Sequence, residues 1–161
     1  MRRKMPMNRW LAALLIVVGL AAVPPVRRAM SAPAPQTKHR VINRPGRTVQ
    51  APFSEAILTG DTLYLSGQIG LDPKTGQPPA DIEQEVQLLL DGIKATLGEG
   101  GMTMDDLVYV QIFCSDLSLF DKFNGVYRTY FTKEFPARAF IGAGSLLRGG
   151  HFELQAIAVR R

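Results

Sequence analysis

DIEQEVQLLLDGIKATL, residues 81–97, carries its apolar side chains at helical intervals: Ile82, Val86, Leu89, Ile93 and Leu97 are spaced four, three, four and four. They draw one apolar stripe, with Glu83, Glu85, Asp91 and Lys94 off it. Gly98, Gly100 and Gly101 supply the stop. One stripe needs one surface to bury against, and the flanking sequence supplies strands for it. Downstream, LVYVQIFCS (107–115) is apolar on both faces apart from Gln111, which predicts a central strand. Upstream, Val41 to Asn43 is a short first strand and Arg44 to Gln50, with Pro45 and Gly46, a loop. Phe53 to Leu58 and Thr62 to Ser66 then form a hairpin turning at Gly60-Asp61. Gly67 to Pro79 is loop, with Asp72-Pro73-Lys74-Thr75-Gly76 as its turn cluster.

Ser118 to Lys133 is the second helix, with an aromatic-rich stripe of Leu119, Phe123, Val126, Tyr127, Tyr130 and Phe131 that reads mainly as core. Ser118 with Asp121 resembles a capping box. Beyond Pro136 come a strand within FPARAFIGAG (135–144), a turn at Ser145 to Gly150, and a last strand from His151 to Val159. That strand alternates: Phe152, Leu154, Ala156 and Ala158 lie on one face, Glu153, Gln155, Ile157 and Val159 on the other. The order is β(β)β-α-β-α-ββ, an α+β fold with two helices on one face of a mixed β-sheet. No third helix covers the other sheet face, so further copies of the chain are expected there, as a symmetric ring.

Charge divides the chain. Residues 1–40 hold eight Lys or Arg and no Asp or Glu, a net of +8. Residues 41–161 hold 11 Lys or Arg against 14 Asp or Glu, a net of −3. A mildly acidic domain argues against a nucleic-acid partner, which asks for a basic face. The basic start (Arg2, Arg3, Lys4, Arg9), the uncharged run Trp10 to Val23 and the stop at Pro24-Pro25 follow the order of a secretory signal. Residues 1–23 are therefore expected to be a signal peptide or membrane anchor, 24–40 a Pro/Ala-rich linker and 41–161 the folded domain. Export to the periplasm or envelope follows, with membrane contact only through an uncleaved leader. Translation from Met30 would instead leave a cytoplasmic protein.

Chemistry-bearing residues are few. Single Cys114 excludes an internal disulfide and a cysteine-built zinc site; in a strand it reads as a buried, inert thiol. His39 and His151 form no metal-ligand spacing and read as ordinary surface or turn histidines. Arg138 stands out as the lone charge of an apolar strand. A guanidinium keeps its charge and must reach water, a carboxylate or an anionic ligand. It is either a receptor for a small carboxylate or a structural arginine paired with an acidic side chain. Glu153 likewise is either functional or the partner of a basic residue, Arg138 included.

The blocks APFSEAI, LYLSGQIGLDPKTGQ, FNGVY, FPARA and ELQAIAV, in this order across residues 50–161, resemble the RidA/YjgF family of imine and enamine deaminases. The resemblance implies a chorismate-mutase-like fold and a homotrimer with sites in the clefts between subunits. It implies hydrolysis of 2-iminopropanoate-type compounds to 2-keto acids and ammonia, with no metal or cofactor. It puts the carboxylate-binding arginine on Arg138 and the water-directing glutamate on Glu153, with Ser66 and Asn124 lining or supporting the pocket. Three departures are visible. Phe53 stands where the family commonly has tyrosine, which removes a hydroxyl from the pocket wall. Phe140 stands where a small residue is usual, which reshapes the pocket. Gln155 replaces a second glutamate. The absent hydroxyl and the leader also admit a different class of function, a non-catalytic trimeric binder of small carboxylates or ketoacids in the cell envelope.

Overall fold

The computed structural model describes residues 38–45 and 52–161. Expectations for residues 1–37, the leader and most of the linker, and for residues 46–50 of the first loop, lie outside the described residues; Arg40, expected in the linker, opens the first strand. Among those described, no helix is long and apolar enough to cross a membrane.

Six strands form one mixed sheet: β1 (Arg40–Ile42), β2 (Ala56–Thr59), β3 (Thr62–Ile69), β4 (Leu107–Cys114), β5 (Ala137–Gly142) and β6 (Phe152–Val159). Their spatial order is β1-β2-β3-β6-β4-β5. Only β4 and β5 pair in parallel, as the helical crossover between them requires. The two helices, α1 (Ile82–Glu99) and α2 (Phe120–Tyr127), cover the same face. The α+β reading and the order of elements are as the sequence predicts. The middle of the sheet is β3 and β6, however, and β4 sits one strand in from the β5 edge. Its alternate residues Tyr109, Gln111 and Phe113 are only half-buried, because they face away from the helices.

Helix α1 starts where its cap is: the Asp81 carboxylate accepts from the backbone N–H of Glu83 at 2.9 Å. Its stripe, joined by Leu90, enters one core with Leu63, Ala156 and Ala158, with Ile82 only partly buried at the start of the helix. Glu85 departs from expectation. It is fully buried and receives the backbone N–H of His151 at 2.7 Å and of Phe152 at 3.3 Å, with His151 Nδ1 at 2.7 Å. His151 is therefore not an ordinary turn histidine but the partner of a buried carboxylate that fixes the start of β6. The pairing joins residues 66 apart, so local periodicity carries no trace of it.

Helix α2 is shorter than expected, and a single 3-10 turn, Arg128–Tyr130, follows it. The Thr129 hydroxyl donates to the carbonyl of Val126, and Thr132 N–H is captured by Asp105 at 3.0 Å. These contacts turn the backbone aside before Lys133. The expected Ser118–Asp121 box is replaced by Asp116, whose side chain accepts from Ser118 N–H at 2.9 Å and opens a 3-10 turn ahead of the helix.

Strand β3 runs three residues beyond the expected end, through a bulge. Leu65 pairs with Ala156 and Gln68 with Leu154, so Ser66 and Gly67 oppose Gln155 alone. The inserted residue inverts the alternation beyond it. Gln68 therefore turns inward, buried, and donates to Thr96 Oγ1 at 3.0 Å.

Candidate functional site

Two half-sites lie on opposite faces of the sheet. The first is built on α2 and β5. Arg138 pairs in register with Val110, a residue buried under the helices, so its side chain rises on the helical face. There Nη1 donates to Asn124 Oδ1 at 2.8 Å. The guanidinium carbon lies 4.8 Å from the Tyr127 ring centroid, 5.7 Å from that of Phe140 and 5.8 Å from that of Phe120. Aromatic faces hold a guanidinium in place without neutralising it. Arg138 forms no ion pair with any described carboxylate, so the structural reading of this arginine fails within the chain. It opens instead on a cavity of about 300 Å³ lined by Asn124, Tyr127, Arg128, Phe135, Pro136 and Arg138.

Tyr127 is the residue of this half-site that sequence reasoning missed as polar. Helical spacing made it core, and its ring does stack on Phe123 at 5.6 Å. Yet its hydroxyl is buried with no hydrogen-bond partner among the described residues. Burial pushes its pKa up to about 12, against a smaller downward pull from Arg138. The proton stays on throughout the neutral range, and the hydroxyl remains available as a donor. Phe140 does not line this cavity: it packs edge-on to Phe120 at 4.9 Å and Phe123 at 5.4 Å, beneath the guanidinium. Its effect is to wall and orient Arg138.

The second half-site is on the open face. Glu153 pairs with Ile69 on one side and Phe113 on the other, between the inward residues Phe152 and Leu154. It makes no ion pair or hydrogen bond among the described residues. With Phe53, Ser66, Gly67, Leu147 and Arg148 it lines a cavity of about 400 Å³. Phe53 is half exposed. The Ser66 hydroxyl donates to the carbonyl of Ser54 at 2.6 Å and ties the bulge to the chain before β2. A β-carbon at Gly67 would meet Glu153 Oε1 at 2.0 Å, so a side chain there requires the carboxylate to move. The carboxylate thus lies directly on the backbone of the bulge.

Arg138 and Glu153 are not neighbours within one chain. Their partners on β4, Val110 and Phe113, are three residues apart, and β4 lies between their strands. That separates their Cα atoms by roughly 14 Å, on opposite faces. Cys114 is fully buried and takes no part in either half-site: its Sγ donates to the Asp116 carbonyl at 3.0 Å, and burial pushes the thiol pKa up.

The mixed sheet, with both helices on one face, thus carries at opposite surfaces two charged groups, Arg138 and Glu153, that form no ion pair among the described residues. Comparison with known proteins gives the family. The endoribonuclease L-PSP family model matches residues 42–160. The 2-iminobutanoate/2-iminopropanoate deaminase of Bos taurus is 37% identical over 110 residues, 68% of this chain and 80% of that protein. The protein of the same name from Escherichia coli K12 is 35% identical over 113 residues, 68% of this chain and 88% of that one. Among solved structures, a putative endoribonuclease from Thermotoga maritima superposes with a TM-score of 0.71 at 34% identity, covering 76% of this chain and 98% of its own. The YjgF gene product of E. coli superposes with a TM-score of 0.66 at 35% identity, covering 70% and 91%. The chain belongs to the endoribonuclease L-PSP family, the RidA/YjgF family that its sequence motifs resemble.

Proposed function

We propose that the protein hydrolyses small 2-imino acids, and the enamines that tautomerise to them, to 2-keto acids and ammonia. Arg138 carries this reading: an aromatic-walled guanidinium without a carboxylate partner, open to a cavity. Its fork matches a substrate carboxylate through two parallel hydrogen bonds and holds the adjoining C=N carbon in place. Glu153 accepts a proton from water as the water oxygen bonds to that carbon. Glu153 then passes that proton to the nitrogen of the carbinolamine; the C–N bond breaks as the hydroxyl oxygen forms the C=O bond and returns its proton to the carboxylate, leaving ammonia and the keto acid. The relatives named as deaminases support this reaction over simple binding.

Since Arg138 and Glu153 occupy opposite faces, the complete site joins the Arg138 half of one copy to the Phe53–Ser66–Glu153 half of another. A homotrimer provides such seams, and the uncovered sheet face bearing Tyr64 and Ile157 supports the assembly. We infer export from the basic-then-apolar order of residues 1–23; a native N-terminus beyond residue 23 supports it, and an intact one or a start at Met30 decides between anchoring and the cytoplasm.

The test generates an imino acid with an amino-acid oxidase and traps it with semicarbazide. Active protein lowers the trapped product. Arg138→Ala is expected to lose at least ~100-fold in kcat/KM, while Glu153→Gln lowers kcat more than it raises KM. Wild-type turnover by Arg138→Ala overturns the assignment, and ketoacid binding without any loss of trapped product identifies a binder.

A further inference from the structure

We propose that the cavity beside Arg138 is built for a dianion, so that the preferred substrates are 2-imino dicarboxylates; this rests on the reading of Arg138 as the carboxylate receptor. The Arg138 half holds a second guanidinium, that of Arg128, and no acidic side chain lines it, while the half joined to it brings the Glu153 carboxylate together with the Arg148 guanidinium, so three cations face one anion. Neither Arg138 nor Arg128 forms an ion pair among the described residues. Both are tethered to one residue: Arg138 Nη1 donates to the Asn124 side-chain oxygen at 2.8 Å, and Arg128 Nε to the Asn124 backbone oxygen at 3.1 Å. Two hydrogen bonds from a single asparagine keep the guanidinium carbons within about 12 Å of each other. A four- or five-carbon diacid with one carboxylate on each guanidinium spans about that distance.

Two like charges facing one small cavity repel, and a dianion relieves both at once. The third observation is independent of charge. Tyr127 is 4% exposed, lines the same cavity and has a hydroxyl without a partner. A buried donor left unsatisfied is costly, and an anionic oxygen in the cavity satisfies it. Phe135 and Pro136 close the remaining wall, so the carbon chain between the two acid groups meets apolar surface.

The reaction is the same hydrolysis. With 2-iminosuccinate, water oxygen bonds to the imine carbon, the C–N bond breaks, and the oxo diacid and ammonia are released. Two measurements test the proposal. Calorimetry compares 2-oxoglutarate with 2-oxopentanoate, which match in carbon number and differ in the second carboxylate. The wild-type protein is expected to bind the diacid at least tenfold tighter, and Arg128→Gln to bring the ratio of the two affinities close to one. Tyr127→Phe is expected to weaken diacid binding several-fold while leaving the thermal midpoint unchanged or higher, because the lost hydroxyl has no partner in the free protein. Semicarbazide trapping then compares 2-iminosuccinate with 2-iminopropanoate, with the same ordering expected in kcat/KM. Equal affinity for both acids, or a ratio that Arg128→Gln leaves intact, overturns the dianion proposal alone. Failure of the wild-type protein to bind either acid overturns the underlying role of Arg138.

Discussion

Gly67 has no positive φ to justify it; a β-carbon there would stand 2.0 Å from Glu153 Oε1, so a side chain requires that carboxylate to move. Gly67→Ala should therefore fold and still displace the carboxylate. We expect kcat to fall about tenfold or more, with a smaller change in KM and in the urea midpoint, measured by the trapping assay and by denaturation. An unchanged kcat would remove Glu153 from the chemistry. At this scale the sequence shows what is anomalous locally. Arg138 is legible because a lone charge in an apolar strand has to be explained. Tyr127 is not, because a tyrosine at helical spacing looks like core until the surroundings of its hydroxyl are seen. Nor is the Glu85–His151 pair, whose members look polar and exposed when taken one at a time.

Glu85 links the elements to the site. Its carboxylate receives two backbone N–H groups at the head of β6 and His151 Nδ1, and Glu153 follows two residues later. Glu85→Ala would leave those buried donors unpaired. We expect a loss of about 3 kcal/mol in stability by urea unfolding, and reduced turnover because β6 loses its fixed start. Full stability in that variant would show water taking the carboxylate's place. Element existence was legible throughout: the stripe of α1 and the alternation of β6 follow period rules that only burial on one face satisfies. Boundaries were less so. The end of α2 is set by Asp105 from another part of the chain, and the bulge at Ser66–Gly67 by how β3 meets β6.

For the whole molecule, the alternative that Arg138 and Glu153 of one chain pair with each other is excluded by sheet register, which no one-dimensional pattern displays. The α+β architecture follows from the order of elements; the separation of the two half-sites follows only from which face each strand presents. In the proposed ring, two impaired proteins should therefore rescue one another. When Arg138→Ala and Glu153→Gln chains are unfolded together, mixed in equal amounts and refolded, some seams receive an intact arginine from one parent and an intact glutamate from the other. Random assortment in that ring makes about one seam in four whole again, so the mixture should gain about a quarter of native activity above the residual level of either parent refolded alone. The gene would then show complementation between alleles, a genetic signature of one catalytic centre divided between two polypeptides.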